Sequence, residues 1–251
     1  MGLFGNMNLI KRLIPNKVKD EAKYFLYKLL KIPYNKFGLP VEIMQWLPAD
    51  KPINFIDVGA SKGDFSISVS KSYDVQRGIL IEPIPHNIAL LNERFGDRKK
   101  YQIFDLAISG SFGKLDFYLS EYDVLSSLYK MEKEYQTPFS ISDQVKIIVN
   151  TDTLDSIVGK CNLDIIDLIK IDVQGAEHLV LNSGKKTLKS TKLLYLEFSY
   201  KPMYEGSSTF FDLFEILNDN NFRMVSISNA YKLKDGEIVQ GDALFINNIF
   251  L

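Results

Sequence analysis

From residue 51 onward, apolar residues come in short runs separated by stretches with helical spacing. Residues 54–58, 78–82, 101–108, 166–172 and 192–198 carry dense apolar runs, which predicts strands. Residues 66–72, 85–95, 176–188 and 209–220 read as helices. Strand alternating with helix implies crossover units, so the expected fold class is α/β with a doubly wound, Rossmann-like, mostly parallel sheet. Residues 114–119 and 146–149 are predicted as further extended segments. Near the end, residues 222–228 and 243–246 flank a polar stretch containing Asp235-Gly236, which predicts a closing antiparallel hairpin.

The first 50 residues stand apart as a basic helical extension, followed by one domain over 51–251. Between residues 18 and 30 the apolar positions are Val18, Ala22, Phe25, Leu26 and Leu29, a helical stripe with a basic opposite face. Residues 1–40 hold eight Lys or Arg and two acids, 8 − 2 = +6. Such a helix either packs on the main domain or docks peripherally on an anionic membrane or on a glycan-assembly partner.

Composition narrows the choices. Of the 251 residues 46 % are apolar and 24 % charged, which suits a packed core with a polar surface. The net charge is −1, so nucleic acid is not expected as a partner. The single cysteine, Cys161, excludes an internal disulfide and a multi-cysteine zinc site, and is expected to be a small buried apolar residue. Two histidines, His86 and His178, exclude a histidine-rich metal site. No run of 18 apolar residues and no signal peptide is read, so a cytoplasmic location is expected.

The most informative segment is Phe55-Ile56-Asp57-Val58-Gly59-Ala60-Ser61-Lys62-Gly63-Asp64-Phe65. An apolar strand runs into a glycine-containing turn and then a helix, and ligands in doubly wound sheets bind outside such strand ends. Gly59 and Gly63 let the backbone approach a ligand closely. The dinucleotide fingerprint Gly-x-Gly-x-x-Gly is broken here, because Ser61 stands at its second glycine. Asp57 would repel a pyrophosphate but suits the ammonium group of a methionyl moiety. At the end of the next strand, Glu82 is placed to accept hydrogen bonds from ribose hydroxyls. A nicotinamide-dependent oxidoreductase is therefore the first rival reading, and a non-catalytic binding domain on the same fold the second.

These residues resemble the FkbM family of methyltransferases. The resemblance runs from about residue 55 to 245. It rests on Ile56-Asp57-Val58-Gly59-Ala60 with Gly63, on Glu82-Pro83, and on Leu168-Ile169-Lys170-Ile171-Asp172-Val173-Gln174-Gly175-Ala176-Glu177. Met203-Tyr204-Glu205-Gly206 and Asp242-Ala243-Leu244-Phe245 extend it. The family often has Glu where this chain has Gln174. The resemblance implies a class I methyltransferase fold and methyl transfer from S-adenosylmethionine, usually to a hydroxyl of a sugar, glycolipid or polyketide-type product.

The expected cofactor pocket comprises Asp57, Gly59, Ala60, Ser61, Gly63, Phe65, Glu82, Pro83, Asp105, Ala107 and Asp172. Asp105, near the end of the third strand, either accepts the adenine amino group or is a solvated loop acid. The expected catalytic acids are Asp172, Glu197 and Asp242. Period-two alternation puts Lys170 and Asp172 on one face of their strand. Glu197 lies among apolar residues, paired in the core or aimed at the site. If the last strand is antiparallel, Asp242 begins it at the active-site rim. Glu177 opens a helix, where a carboxylate suits the helix dipole. His86 is expected at a helix start on the surface. Tyr200, Lys201, Tyr204 and Glu205 form a polar-aromatic loop, either stacking on a sugar face or packing on itself. A hydroxyl acceptor requires a general base or a metal such as Mg²⁺, and both options stay open at this point.

Overall fold

Seven strands form the central sheet in the computed structural model, which describes residues 35–96, 99–139, 141 and 144–251. The helix expected over residues 18–30 lies outside them. The strands of this sheet are β1 (Ile53–Val58), β2 (Val75–Glu82), β3 (Tyr101–Asp105), β7 (Ile166–Ile171), β8 (Thr191–Ser199), β9 (Phe222–Lys232) and β10 (Ile238–Asn247). Their order is β3-β2-β1-β7-β8-β10-β9. All pairings are parallel except those of β10, which runs against both β8 and β9. The chain winds outward from β1 on one side and enters β7 on the other. The boundary between β1 and β7 is therefore the switch point at which such sheets bind ligands.

The apolar run of β1 is continuous because both its faces are covered. Ile56 and Val58 pack with Ile169, Ile171, Leu194 and Leu196 on one face. There α5 (Leu154–Cys161), α6 (Glu177–Ser183), α7 (Lys185–Lys189) and α8 (Phe210–Asp219) supply Leu154, Val180, Leu188 and Leu217. On the other face Phe55, Leu168 and Leu244 meet α1 (Val41–Trp46), α2 (Asp64–Ser72) and α3 (Pro85–Arg94) through Ile43, Val69 and Leu91. Ile43 of α1 is fully buried, which contributes about 1.5–3 kcal/mol to docking this helix. Cys161 is buried and unpaired, as read from the sequence.

A second sheet roofs one end of the first. It has the order β4-β6-β5, with β4 at Ala107–Ile108, β5 at Gly113–Leu119 and β6 at Val145–Asp152. The short helix α4 (Lys133–Gln136) lies between β5 and β6. The single strand expected over residues 101–108 is thus two. After Asp105 the chain leaves the main sheet, and Ala107 and Ile108 pair with Thr151 and Asp152 instead. The helix expected over residues 176–188 is also two, divided at Gly184, where an added Cβ would lie 2.6 Å from the Leu154 side chain. The closing hairpin is present and longer than expected, with Gly236 at φ +92° in its turn. Helix α5 follows a Thr153 side-chain cap on the Ser156 N–H, with Leu154, Ile157, Val158 and Cys161 facing the core. Among the described residues no helix is long and apolar enough to cross a membrane.

Candidate active site

A cleft of about 470 Å³ opens at the carboxyl ends of β1, β2, β7 and β8. Its floor is the turn between β1 and α2. Gly59 has φ +78°, and a Cβ there would lie 1.9 Å from the Asp172 carbonyl oxygen. Only glycine lets the β1 turn lie this close to the end of β7. Gly63, at φ +84°, starts α2 and packs against Leu91 and Phe95 of the α3 segment, away from the cleft lining. Ala60, Ser61, Phe65, Pro83 and Ala107 do line the cleft, as expected.

Glu82 ends β2 at 4 % exposure. Its carboxylate accepts the backbone N–H of Ser61 at 2.9 Å and that of Ile84 at 3.0 Å. Burial pushes this carboxyl up, against the pull of those backbone donors. The two N–H groups fix the acid's orientation across two adjoining loops.

Besides Gly63, two expected cofactor residues do not line the cleft. Asp57 is fully buried beneath the turn and does not line the cleft. Alternation along β1 points it under α2, where it accepts the Ser66 hydroxyl at 2.6 Å and lies 3.6 Å from the Lys170 ammonium. Burial raises its pKa. Asp105 is exposed and outside the cleft, because the chain bends away from the main sheet just after it. The wall at that end is apolar instead, formed by Leu106, Ala107, Phe117 and Leu128. Beside it lies Asp123, an acid not foreseen from the sequence. Its carboxylate lies 2.7 Å from Nε2 of the exposed His86 and 3.5 Å from Lys62 Nζ.

The other end of the cleft concentrates charge. Asp57 and Lys170 are register partners across β1 and β7. Lys170 Nζ donates to the Gly59 carbonyl at 3.1 Å and lies 3.2 Å from Asp172 Oδ2. Burial alone would weaken its hold on a proton, but Asp172 and Asp57 outweigh that and raise its pKa. Asp172 shows the converse. Burial disfavours its charge, yet Lys170 and the Gln174 amide hold the carboxyl below its ordinary value. Glu197 lies one strand over. Burial and then the neighbouring charge of Asp172 push it well above the carboxylate range. Of the two acids, Asp172 is therefore the more readily ionised and Glu197 the one that holds its proton more tightly.

Asp242 of β10 pairs in register with Glu197 and lines the cleft. It accepts the Tyr195 hydroxyl at 2.9 Å and the Asn229 amide at 2.6 Å, and burial raises its pKa. Tyr195 stacks on Phe65 with ring centroids 6.2 Å apart. Glu177 serves the loop ahead of α6, with Oε1 accepting the N–H groups of Val173 and Gly175, both at 3.1 Å. Tyr204 is fully buried rather than presented to solvent, while Lys201 pairs with Glu237 on the surface. Among the described residues no three His, Cys, Asp or Glu side chains are grouped as metal ligands.

Comparison with known proteins decides the family. Residues 57–224 match the methyltransferase FkbM domain. This chain belongs to the FkbM methyltransferase family. The 2-O-methyltransferase NoeI of Sinorhizobium fredii (strain NBRC 101917 / NGR234) is 29 % identical over 181 residues, covering 69 % of this chain and 74 % of that one. The crystal structure of methyltransferase FkbM from Methylobacillus flagellatus KT shares the fold with a TM-score of 0.50 and 16 % identity. That match covers 78 % of this chain and 43 % of the other, so this FkbM-family chain spans less than half of that relative. Asp172, Gln174 and Glu197 fall inside the span of the family match, and Asn229 and Asp242 lie beyond it.

Proposed function

We propose that this methyltransferase uses S-adenosylmethionine to methylate a hydroxyl of a sugar, glycolipid or related metabolite. One observation carries the reading: a single cleft joins the pinned Glu82 carboxylate to the Lys170–Asp172 ion pair. The residues fit the cofactor. A carboxylate has about four acceptor positions; the Ser61 and Ile84 N–H groups and, at 3.4 Å, the Asn87 amide occupy three, which leaves room for a ribose hydroxyl on the Oε2 side. Ala107, Phe117 and Leu128 offer an apolar slot for a flat base. The volume lies within the roughly 300–1,000 Å³ of small-molecule sites. When bound, S-adenosylmethionine supplies an electrophilic methyl group on a sulfonium.

The chain's own residues would do the rest. Asp172, charged and open to the cleft, accepts the acceptor hydroxyl's hydrogen bond and takes its proton as the oxygen attacks. Lys170 keeps that carboxylate ionised and fixed. Glu197 holds its proton more tightly than Asp172, which suits it to orient the acceptor. Oxygen as the accepting atom is supported by the activity in the curated relative's name, a 2-O-methyltransferase. The broken glycine spacing at Ser61 speaks against a nicotinamide cofactor. Asp242 is the second choice of base: burial raises its pKa, but its Oδ2 already accepts the Tyr195 hydroxyl and the Asn229 amide.

The test is transfer of labelled methyl from S-adenosylmethionine to a panel of neutral sugars and glycolipids. Asp172→Asn keeps the shape and removes the proton acceptor, so turnover falls by about 10²–10⁴-fold while cofactor affinity changes little. Near wild-type turnover in this variant transfers the role to Asp242. Loss with a chelator and recovery with Mg²⁺ would make these acids metal ligands instead.

A further inference from the structure

Gln174, itself buried, sits where the half-buried Asp172 and Glu197 carboxyls and the buried Tyr204 hydroxyl converge, and its amide contacts all three. The nitrogen donates to Asp172 Oδ1 at 2.8 Å and also to Glu197 Oε2. The oxygen accepts the Tyr204 hydroxyl at 2.9 Å. The orientation follows from the partners, since two carboxyl oxygens need donors and a phenol supplies one. The backbone is committed to this placement. Gln174 has φ +55°, a left-handed conformation that costs a non-glycine residue energy, and its carbonyl accepts the Ser127 hydroxyl at 2.7 Å. Tyr204 is fully buried, so the far end of the clamp is rigid.

We propose that Gln174 is a positioning residue: its amide, anchored by Tyr204, bridges Asp172 and Glu197 and holds both carboxyls in one geometry facing the acceptor. This rests on the methyl-transfer reading only for the word acceptor; the bridge itself is a property of the folded chain. An amide is the side chain suited to the task. One nitrogen gives two N–H donors, one to each carboxyl, and the oxygen takes the phenol. A glutamate here offers at most one proton and must release one of the two acids. The charged and titratable groups around the bridge are Lys170 on β7, Asp57 on β1, Glu177 on α6 and Asp242 on β10, and the neutral Gln240 amide reaches Glu197 Oε2 at 3.4 Å. None of them supplies the paired donors that Gln174 gives.

The test is carboxyl ¹³C NMR titration of the full chain labelled at Asp and Glu, without cofactor or acceptor. Asp172→Asn and Glu197→Gln assign the two resonances. In Gln174→Ala the Asp172 midpoint should rise by about 1–2 pH units, the shift produced by losing one hydrogen bond to a charged group. Tyr204→Phe, which removes only the anchor, should move it the same way by less. An Asp172 midpoint unchanged in folded Gln174→Ala overturns the proposal. If that variant does not fold, an unchanged midpoint in Tyr204→Phe overturns it. Because no methyl is transferred in this experiment, its outcome is independent of whether the proposed activity is found.

Discussion

Glu177 is a buried carboxyl whose two backbone donors do not offset its desolvation, and its pKa is pushed up to about 7. The ordinary value in the unfolded chain is 4.5. The folded state therefore binds the proton more tightly across that window, and stability falls as pH rises from about 4.5 to 7. Glu177→Gln keeps an oxygen for the N–H groups and removes the titration. Thermal unfolding across this window should show a shallower pH dependence in the variant, by up to about 3 kcal/mol at the neutral end. Equal slopes in the two proteins would place the ionised form of Glu177 in the fold. At this scale the sequence was readable where neighbours along the chain decide the outcome. Lys170 and Asp172 share a face by alternation, and they do form a pair. The contact of Asp57 with Lys170 is not legible, because Lys170 comes from a strand far along the chain and only the register across β1 and β7 brings them together. Gln174's bridge was equally hidden, since Tyr204 and Glu197 reach it from separate segments.

The strands and helices were legible in type and less so in extent. Buried runs announce β1, β7 and β8, but nothing in residues 101–108 marks the point where the chain changes sheets, because both sheets reward the same apolar residues. That change of sheet is what removes Asp105 from the cleft. Helix α5 carries a Thr153 cap and helical apolar spacing, a signal that eight residues between two stronger strands make weak. The β1–α2 turn was read correctly as a site of close backbone approach. The prediction at this scale concerns that turn. Gly59→Ala adds a Cβ that meets the backbone of Asp172 at a positive φ, so neither partner can yield cheaply. A loss of about 3 kcal/mol or more is expected in denaturant unfolding, with the two contributions of clash and strain adding. Unaltered stability would mean that the turn can swing away from β7, and the close packing of the two loops would not be needed to shape the cleft.

For the molecule as a whole, doubly wound topology places the β1, β2 and β7 ends side by side, and the reversed β10 delivers Asp242 to the same rim. That reversal was legible from the hairpin pattern at the end of the chain, and the position of Asp242 followed from it. The roof formed by β4, β5 and β6 was not legible as a unit, although two of its strands were. It closes the apolar end of the cleft opposite the acid cluster. The cleft is thus divided into an apolar end, a central acid in Glu82 and a charged end, an order that matches a base, a ribose and a reacting group. Calorimetric titration with S-adenosylmethionine, comparing wild type with Glu82→Ala and using NAD as the control ligand, tests this order most directly. The account predicts saturable binding of S-adenosylmethionine to one site, no binding of NAD, and a loss in Glu82→Ala of about 1.5–3 kcal/mol, roughly 10–150-fold in affinity. Equal binding by Glu82→Ala, or binding of NAD in place of S-adenosylmethionine, would contradict it.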